Sequence, residues 1–364
     1  MQDKLKMLVD WSMIESGAIN QIMNLINLEE LKKLAIMPDV HAGYDMPIGG
    51  VALVDGKISP SFVGYDIGCG MCMIDTGIAY EDFPQSKEER EKIAQKIYES
   101  IPVGFNVRDK GLEYQEFRSA SGDHELDQKV AEKLYQSLGT LGGGNHFIEI
   151  GVSKKTNNIC ITIHSGSRKV GYMIAEYYMK KGRLLEIDSE LGQAYLQDMN
   201  FALQYALDNR LTMIKNILEN VLGIQYDKVK HTLINENHNH AEITDEGILH
   251  RKGATQAKLD QLGVIPANMR DGVYVTRGLG NSEYLESASH GAGRKLSRRK
   301  AKDVIAIEEF KKVMEENGVV ARVEKSTLDE APQAYKDINE VIAAQDGVTV
   351  EVIDHIRPLI NIKG

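Results

Sequence analysis

The residues of this chain best able to do chemistry lie beside glycine-rich turns, in five short clusters. Gly64-Tyr-Asp66-Ile-Gly68-Cys69-Gly70 sets a carboxylate and a thiol three positions apart, among glycines that permit a tight turn, so both could face one ion. TLGGGNHFIE, from Thr140 to Glu149, places three glycines before Asn145 and His146, and such turns let backbone N–H groups approach phosphate oxygens. His164-Ser-Gly-Ser-Arg168 ends an apolar run with an imidazole and a guanidinium that could bind phosphate through two nitrogens. NENHNH, Asn235 to His240, is a polar run that is costly to bury without partners, so it belongs at a site or on the surface. Ser289-His290-Gly-Ala-Gly-Arg294 leaves open space around an imidazole and puts a cation behind it.

Taken together, an aspartate, a cysteine and three histidines can build a two-metal site in which the thiolate bridges and imidazoles complete each ion. His290 then has no ligand duty and is free to act as a nucleophile. Each cluster also has a plainer reading: a buried cysteine in a structural turn, a core histidine beside a surface arginine, or an ordinary surface loop. Cys69-Gly-Met-Cys72 is a CxxC. A structural zinc site would need a second pair, and only Cys160 remains. A redox motif would open a helix, whereas strand-like MCMID follows here.

The elements that must position these clusters are mixed. Apolar spacing predicts a helix over 16–35, then a loop over 37–50. VALV at 51–54, MCMID at 71–75, ICITIH around 160–163, KVKHTLI at 228–234 and VTVEVI at 348–353 read as strands. Ser86 and Glu89 make a capping box opening a helix to about residue 100. Helices are also expected over 125–138 and, in two or more pieces, over 172–222. Helices and strands interleave without regular βαβ spacing, which gives an α+β class. No repeat or Pro/Ser-rich linker interrupts the chain, so one large globular unit over 1–364 is expected.

The bulk numbers limit the function. With 42% hydrophobic and 26% charged residues the composition is that of a soluble protein. No apolar run reaches the roughly 18 residues of a membrane helix. The N-terminus lacks the apolar core of a secretion signal, and three cysteines are too few for a disulfide framework, so a cytoplasmic setting is expected. A net charge of -10 argues against a non-specific nucleic-acid coat. It leaves room for one local basic patch: Arg294, Lys295, Arg298, Arg299, Lys300 and Lys302. No aromatic-rich strand suggests base stacking, which points to end recognition without sequence readout.

DVHAG at 39–43, GYDIGCG at 64–70, GGGNHFIE at 142–149, HSGSR at 164–168, RKGA at 251–254, RGLGN at 277–281, SHGAGR at 289–294 and the terminal Lys363-Gly364 resemble, in order, the motif series of the RtcB RNA-splicing ligases. The resemblance spans residue 37 to the C-terminus. It implies that family's own α+β fold and a GTP-dependent ligase that seals RNA through a covalent histidine–GMP intermediate. Its substrates would be 3′-phosphate or 2′,3′-cyclic-phosphate RNA ends and 5′-hydroxyl ends. By position, Asp66, Cys69, His146, His164 and His238 match ligands of two manganese ions, with Cys69 shared, and His290 matches the guanylylated histidine. Asn145, His146, Phe147, Ile148 and Glu149, then His238 and Asn239, match part of the guanine-nucleotide pocket. Pro266, Ala267, Asn268 and Met269, then His290, Gly291, Ala292 and Gly293, and finally Lys363, match the rest. Two departures stand out: Val273 falls where the family commonly has a pocket serine, and NENHNH replaces its usual run, so His238 is preferred over His240 for the asparagine that follows it. A dinuclear phosphoesterase or a metal-binding RNA chaperone could use the same metal set.

Overall fold

The apolar runs assemble into two large sheets and two two-stranded ones in a computed structural model that describes residues 4–364. Along the larger sheet the order is Leu262–Pro266, Val273–Gly278, Val350–Ile362, Phe147–Ser153, Asn158–Ser165, Gly70–Ala79 and Ile234–Asn237. Every neighbouring pair in that path is antiparallel. Val320–Ala321 adds a short parallel edge to Val350–Ile362. Asn158–Ser165 is buried along almost its whole length, as expected for a β-branched run covered on both faces. The second sheet runs Leu5–Met7, Leu31–His41, Ile48–Val54, Gly247–Lys252 and Asn239–Thr244. Helices and strands thus mix without βαβ repetition, and the class is α+β.

The long helix Glu190–Asn216 ties the sheet to the other helices. Its first half buries Tyr195, Met199, Ala202 and Tyr205 against Leu126, Val130 and Leu134 of helix His124–Ser137 and against Val170, Ile174 and Tyr178 of helix Arg168–Lys181. Its last turns bury Met213 and Ile214 against Ile148, Ile161 and Ile163 of the sheet. These positions recur at helical spacing, so one amphipathic helix serves both cores. The expected helix forms with its N-cap but not the full capping box: Ser86 Oγ accepts from Glu89 N–H, the Glu89 carboxylate accepts from the Ser86 hydroxyl at 2.8 Å rather than from its backbone N–H, and Lys87–Ser100 follows.

Two local expectations are corrected. The helix that begins at Ser16 ends at Ile26, and Leu31–His41 is a strand, so the predicted helix to 35 and loop from 37 both give way. Leu28, Leu31, Leu34 and Ala35 satisfy helical spacing, but a short apolar run is ambiguous by period alone. Pairing with Leu5–Met7 on one side and Ile48–Val54 on the other decides it. KVKHTLI at 228–234 is mostly helical turn, Tyr226–Val229 and then Lys230–Thr232, with a strand only from Ile234. There the Thr232 hydroxyl accepts from Asp75 N–H and donates to Asp75 C=O, both at 3.1 Å, taking the place of the sheet ladder. Among the described residues, no helix is long and apolar enough to cross a membrane.

Candidate functional site

In an antiparallel sheet the start of one strand lies beside the end of the next, and that geometry gathers the metal-capable residues. His146 immediately precedes strand Phe147–Ser153, and Phe147 pairs with His164 near the end of its neighbour. Cys69 immediately precedes Gly70–Ala79, whose Gly70 lies opposite Ser165 on one side and Asn237 on the other. His238 follows Asn237 directly, and its N–H donates to Cys69 C=O at 2.8 Å. One end of the sheet thus collects residues up to 169 positions apart in sequence (Cys69 to His238).

The turn that carries Asp66 is pinned from beneath. Gly68 adopts φ +72°, a left-handed conformation natural to glycine. The buried Arg210 guanidinium, on the long helix, donates to Gly68 C=O and to Ser165 C=O, both at 2.8 Å. The Asp66 carboxylate rests on Gly166, where a Cβ would come within 2.3 Å of it.

Five side chains meet there. Cys69 Sγ lies 3.3 Å from His146 Nε2 and 3.2 Å from His164 Nε2. His146 Nε2 is 3.0 Å from Asp66 Oδ2, and His164 Nε2 is 3.3 Å from His238 Nε2. They form two triads, Asp66–Cys69–His146 and Cys69–His164–His238, each with ligand atoms within 4.8 Å of one another, and Cys69 is common to both.

The protonation states test whether metal fits. His146 Nδ1 is 3.0 Å from Leu141 C=O and His164 Nδ1 is 3.1 Å from Asn145 C=O. A carbonyl only accepts, so His164 Nδ1 carries the proton and its Nε2 presents a lone pair to the cluster. His146 Nδ1 also faces the Arg168 guanidinium at 3.2 Å, and its Nε2 faces the Asp66 carboxylate. Burial and the neighbouring imidazoles hold His164 and His238 well below the usual histidine range, so both are neutral. Burial raises Asp66, but His146 and Arg168 outweigh it and hold the carboxyl at about 2. Burial and Asp66 push the Cys69 thiol well up. A bound dication would reverse that last effect, since a coordinating thiol gives up its proton. A carboxylate, a thiol and three imidazoles converging in two triads are a donor set that a pair of cations satisfies, and the residues fit a dinuclear site. Thiolate and imidazole donors are softer than magnesium prefers.

His240 is not part of this cluster. Its Nε2 lies 3.2 Å from Arg251 Nη1, and burial lowers it to about 3. Cys72 also turns away, its thiol donating to Asn235 at 2.9 Å in the core, so the CxxC is not a paired motif.

Beside the cluster, the His290 ring centroid is 4.7 Å from that of His238. His290 Nδ1 lies 2.6 Å from Asp39 Oδ2, and Asp39 is fully buried. A carboxylate at Nδ1 fixes the tautomer and leaves Nε2 with its lone pair. Asp39 itself was not singled out from the sequence. The available signal was an acidic residue in an otherwise apolar strand, AIMPDV.

His290 lines a cavity of about 290 Å³. Asn145, Phe147, Glu149 and Lys363 line it from the sheet side, and Pro266 to Met269 and Gly291 to Gly293 from the other. Four of the residues expected there do not line it. Ile148 points into the core through the opposite face of its strand, and His146 opens onto a neighbouring groove. His238 stands behind His290, and the Asn239 side chain donates to Asp66 C=O at 3.0 Å and accepts from Gly253 N–H at 2.8 Å. Val273 is buried beside Phe147, while Gly272 before it reaches the cavity.

Glu149 and Lys363 give the cavity its polar character. Glu149 Oε2 accepts from Asn361 at 3.1 Å, while Oε1 is buried without a partner. Burial raises this carboxyl to about 8. Lys363 is buried, and its ammonium donates to Glu330 at 2.7 Å. Burial raises Glu330, but Lys363 and Arg298 outweigh it and hold the group at about 2. Glu330 also takes Arg294 at 3.2 Å and Arg298 at 2.5 Å, and Asp329 takes Arg298 and Lys302. Half of the basic run is therefore paired inside the protein, which the sequence alone did not reveal. Among the described residues, Lys295, Arg299 and Lys300 make no ion pair.

A family model described as "tRNA-splicing ligase RtcB" matches residues 21–124 and 114–364. The chain is 34% identical to the RNA-splicing ligase RtcB of Escherichia coli strain K12, covering 96% of this chain and 95% of that protein. It is 28% identical to RNA-splicing ligase RtcB homolog 1 of Entamoeba dispar, covering 99% and 84% of the two chains. It is also 28% identical to the tRNA-splicing ligase RtcB of Nanoarchaeum equitans, covering 100% and 94%.

Proposed function

Because this chain belongs to the RtcB family of splicing ligases, we propose that it is a GTP- and manganese-dependent RNA ligase whose covalent intermediate is GMP on His290. It would join 3′-phosphate or 2′,3′-cyclic-phosphate RNA ends to 5′-hydroxyl ends. The observation that carries this reading is His290 itself: Nδ1 is held by buried Asp39 at 2.6 Å, and the ring lies between a nucleotide-sized cavity and the metal-capable cluster. A phosphoesterase would need the cluster but not a poised imidazole.

In the proposed reaction the His290 Nε2 lone pair attacks the α-phosphorus of GTP. A P–N bond forms, the bond to the β-phosphate oxygen breaks, and pyrophosphate leaves. An oxygen of the RNA 3′-phosphate then attacks the same phosphorus, the P–N bond breaks, and GMP passes to the RNA. Finally the 5′-hydroxyl attacks the activated 3′-phosphate, loses its proton and expels GMP. Metal held by Asp66, Cys69, His146, His164 and His238 would act as a Lewis acid toward phosphate oxygens. Asp39 keeps the Nδ1 proton in place, so Nε2 stays nucleophilic and the imidazolium-like charge of attack is offset. Incubation with α-labelled GTP and manganese should give acid-labile, protein-bound label. RNA-end hydrolysis without GTP and without labelling would favour the phosphoesterase.

Asp39→Asn should cut the single-turnover rate of labelling by roughly 10²-fold or more while metal content stays the same. An amide can donate to Nδ1 and so moves the ring proton to Nε2, where it blocks attack. A rate within twofold of the parent would remove Asp39 from the mechanism.

The base would be read by Lys363 and Glu149. Lysine only donates, so its natural target is guanine O6 or N7. The unpartnered Glu149 oxygen, once the carboxyl gives up the proton that burial favours, would be an acceptor for the guanine N1–H and amino group, which adenine does not present in that order. Deleting Lys363-Gly364 should raise the GTP concentration needed for half-maximal labelling about tenfold or more, the scale of one charged hydrogen bond. Discrimination against ATP should fall, with metal content unchanged. Superimposable GTP titrations of intact and truncated protein would mean that the base is read elsewhere.

A further inference from the structure

Three tyrosines from separate segments meet on the surface next to the metal-capable cluster. Tyr44 comes from the loop between strands Leu31–His41 and Ile48–Val54, Tyr65 from the turn that carries Asp66, and Tyr172 from helix Arg168–Lys181. Tyr65 and Tyr172 stack with centroids 5.2 Å apart and planes 23° apart. Tyr44 leans on Tyr65 at 5.7 Å. All three are exposed, by 56%, 37% and 40% for Tyr44, Tyr65 and Tyr172. Singly exposed aromatics need no explanation. Three in ring contact, each more than a third exposed, are a surface that can take a further ring.

The position of this surface says which ring. Tyr65 and Tyr172 line a groove of about 670 Å³ together with Asp66 and His146 of the cluster. Arg168 and Lys169 line the same groove, and Lys169 Nζ sits 5.2 Å over the Tyr172 ring. Neither cation has a carboxylate partner among the described residues, on a chain whose net charge is -10. A phosphate at the cluster would therefore lie beside unpaired cations, and the nucleoside attached to it would lie beside the tyrosines. Cationic groove plus stacking platform is the combination by which proteins hold single-stranded nucleic acid. Sequence reading missed it because the rings are 21 and 107 positions apart (44 to 65, 65 to 172) and form no aromatic-rich strand.

We propose that Tyr65 and Tyr172, extended by Tyr44, stack the unpaired terminal base of the RNA end whose phosphate is held at the metal cluster. The proposal rests on the RNA-ligase reading for its partner class. Stacking is open to every base, so the platform would select an unpaired end rather than a sequence.

The test measures binding with manganese and without GTP, by fluorescence anisotropy. The probes are a single-stranded oligoribonucleotide with a 3′-phosphate and the same oligonucleotide with an abasic terminal residue. The parent protein should favour the natural end by about tenfold, the scale of one stacked base. Tyr172→Ala should remove that preference by weakening the natural end alone, and Tyr172→Trp should retain it. Tyr44→Ala, on a different segment, should reduce the preference in part and guards against a folding defect at Tyr172. Equal affinity of the parent for both probes overturns the proposal. So does an equal loss for both probes in Tyr172→Ala, since that marks a structural or purely electrostatic role. Failure of the parent to take up labelled GMP would instead overturn the ligase mechanism, and it is read in a separate assay.

Discussion

His290→Ala should lose covalent GMP labelling and RNA ligation by at least about 10³-fold while its metal content remains that of the parent. Loss of a nucleophile is not made good by neighbours, because no other group occupies the attacking position. The variant should still join RNA already carrying the activated 3′–ppG end to a 5′-hydroxyl, since that step uses no P–N bond to protein. The fold should survive with a modest loss of stability. Among the described residues, Asp39 would lose its only hydrogen-bond partner on Oδ2, and its other oxygen already has none. An unpaired buried acceptor costs about 1–3 kcal/mol. Mass spectrometry of the intact chain after GTP and manganese gives the direct reading. Label retained on the variant would move the assignment elsewhere. His240 and His250 are poor substitutes, since one faces Arg251 and the other accepts from Ser59 N–H at 2.8 Å. His41, which lines the same cavity, would be the next residue to replace.

The second large effect belongs to Cys69. Cys69→Ala should bring bound manganese from up to two ions per chain to fewer than one and abolish ligation. Its sulfur belongs to both triads, so no other single replacement touches both. Removing Asp66 or His238 would leave the opposite triad complete. The alanine variant should remain folded, because the change removes one buried sulfur atom and its backbone bonds to Asp66 and His238 persist. Elemental analysis after dialysis against manganese, beside a chelator-stripped parent, tests this. Full ligation by stripped protein or by Cys69→Ala would refute the two-metal reading.

Much of the site was legible in the sequence, for a physical reason. Ligand atoms, nucleophiles and phosphate-approaching glycines are properties of residue type and short spacing, and each motif lies at a strand end within a few residues. Asp66, Cys69, His146 and His164, which the fold brings together, could be picked out this way as candidates, and so could His290 beside them. The strands at 51–54, 71–75 and around 160–163 were also legible, as short apolar runs near Gly or polar turn residues that the sheets then bury along almost their whole length.

What the tertiary structure decided was whatever depends on partners distant in sequence. Antiparallel pairing, not spacing, put His146, Cys69, His164 and His238 at one end of one sheet and left His240 two residues away facing Arg251. Leu31–His41 became a strand because two neighbours paired with it, and only there did Asp39 come under His290. The basic run looked free, yet Asp329 and Glu330 arrive from 27 or more residues away (302 to 329) to pair with half of it. The tyrosine surface has no local pattern at all. Charge, chemistry and local propensity are written residue by residue, whereas a hydrogen bond or a stacked ring exists only once the chain has brought its two halves together.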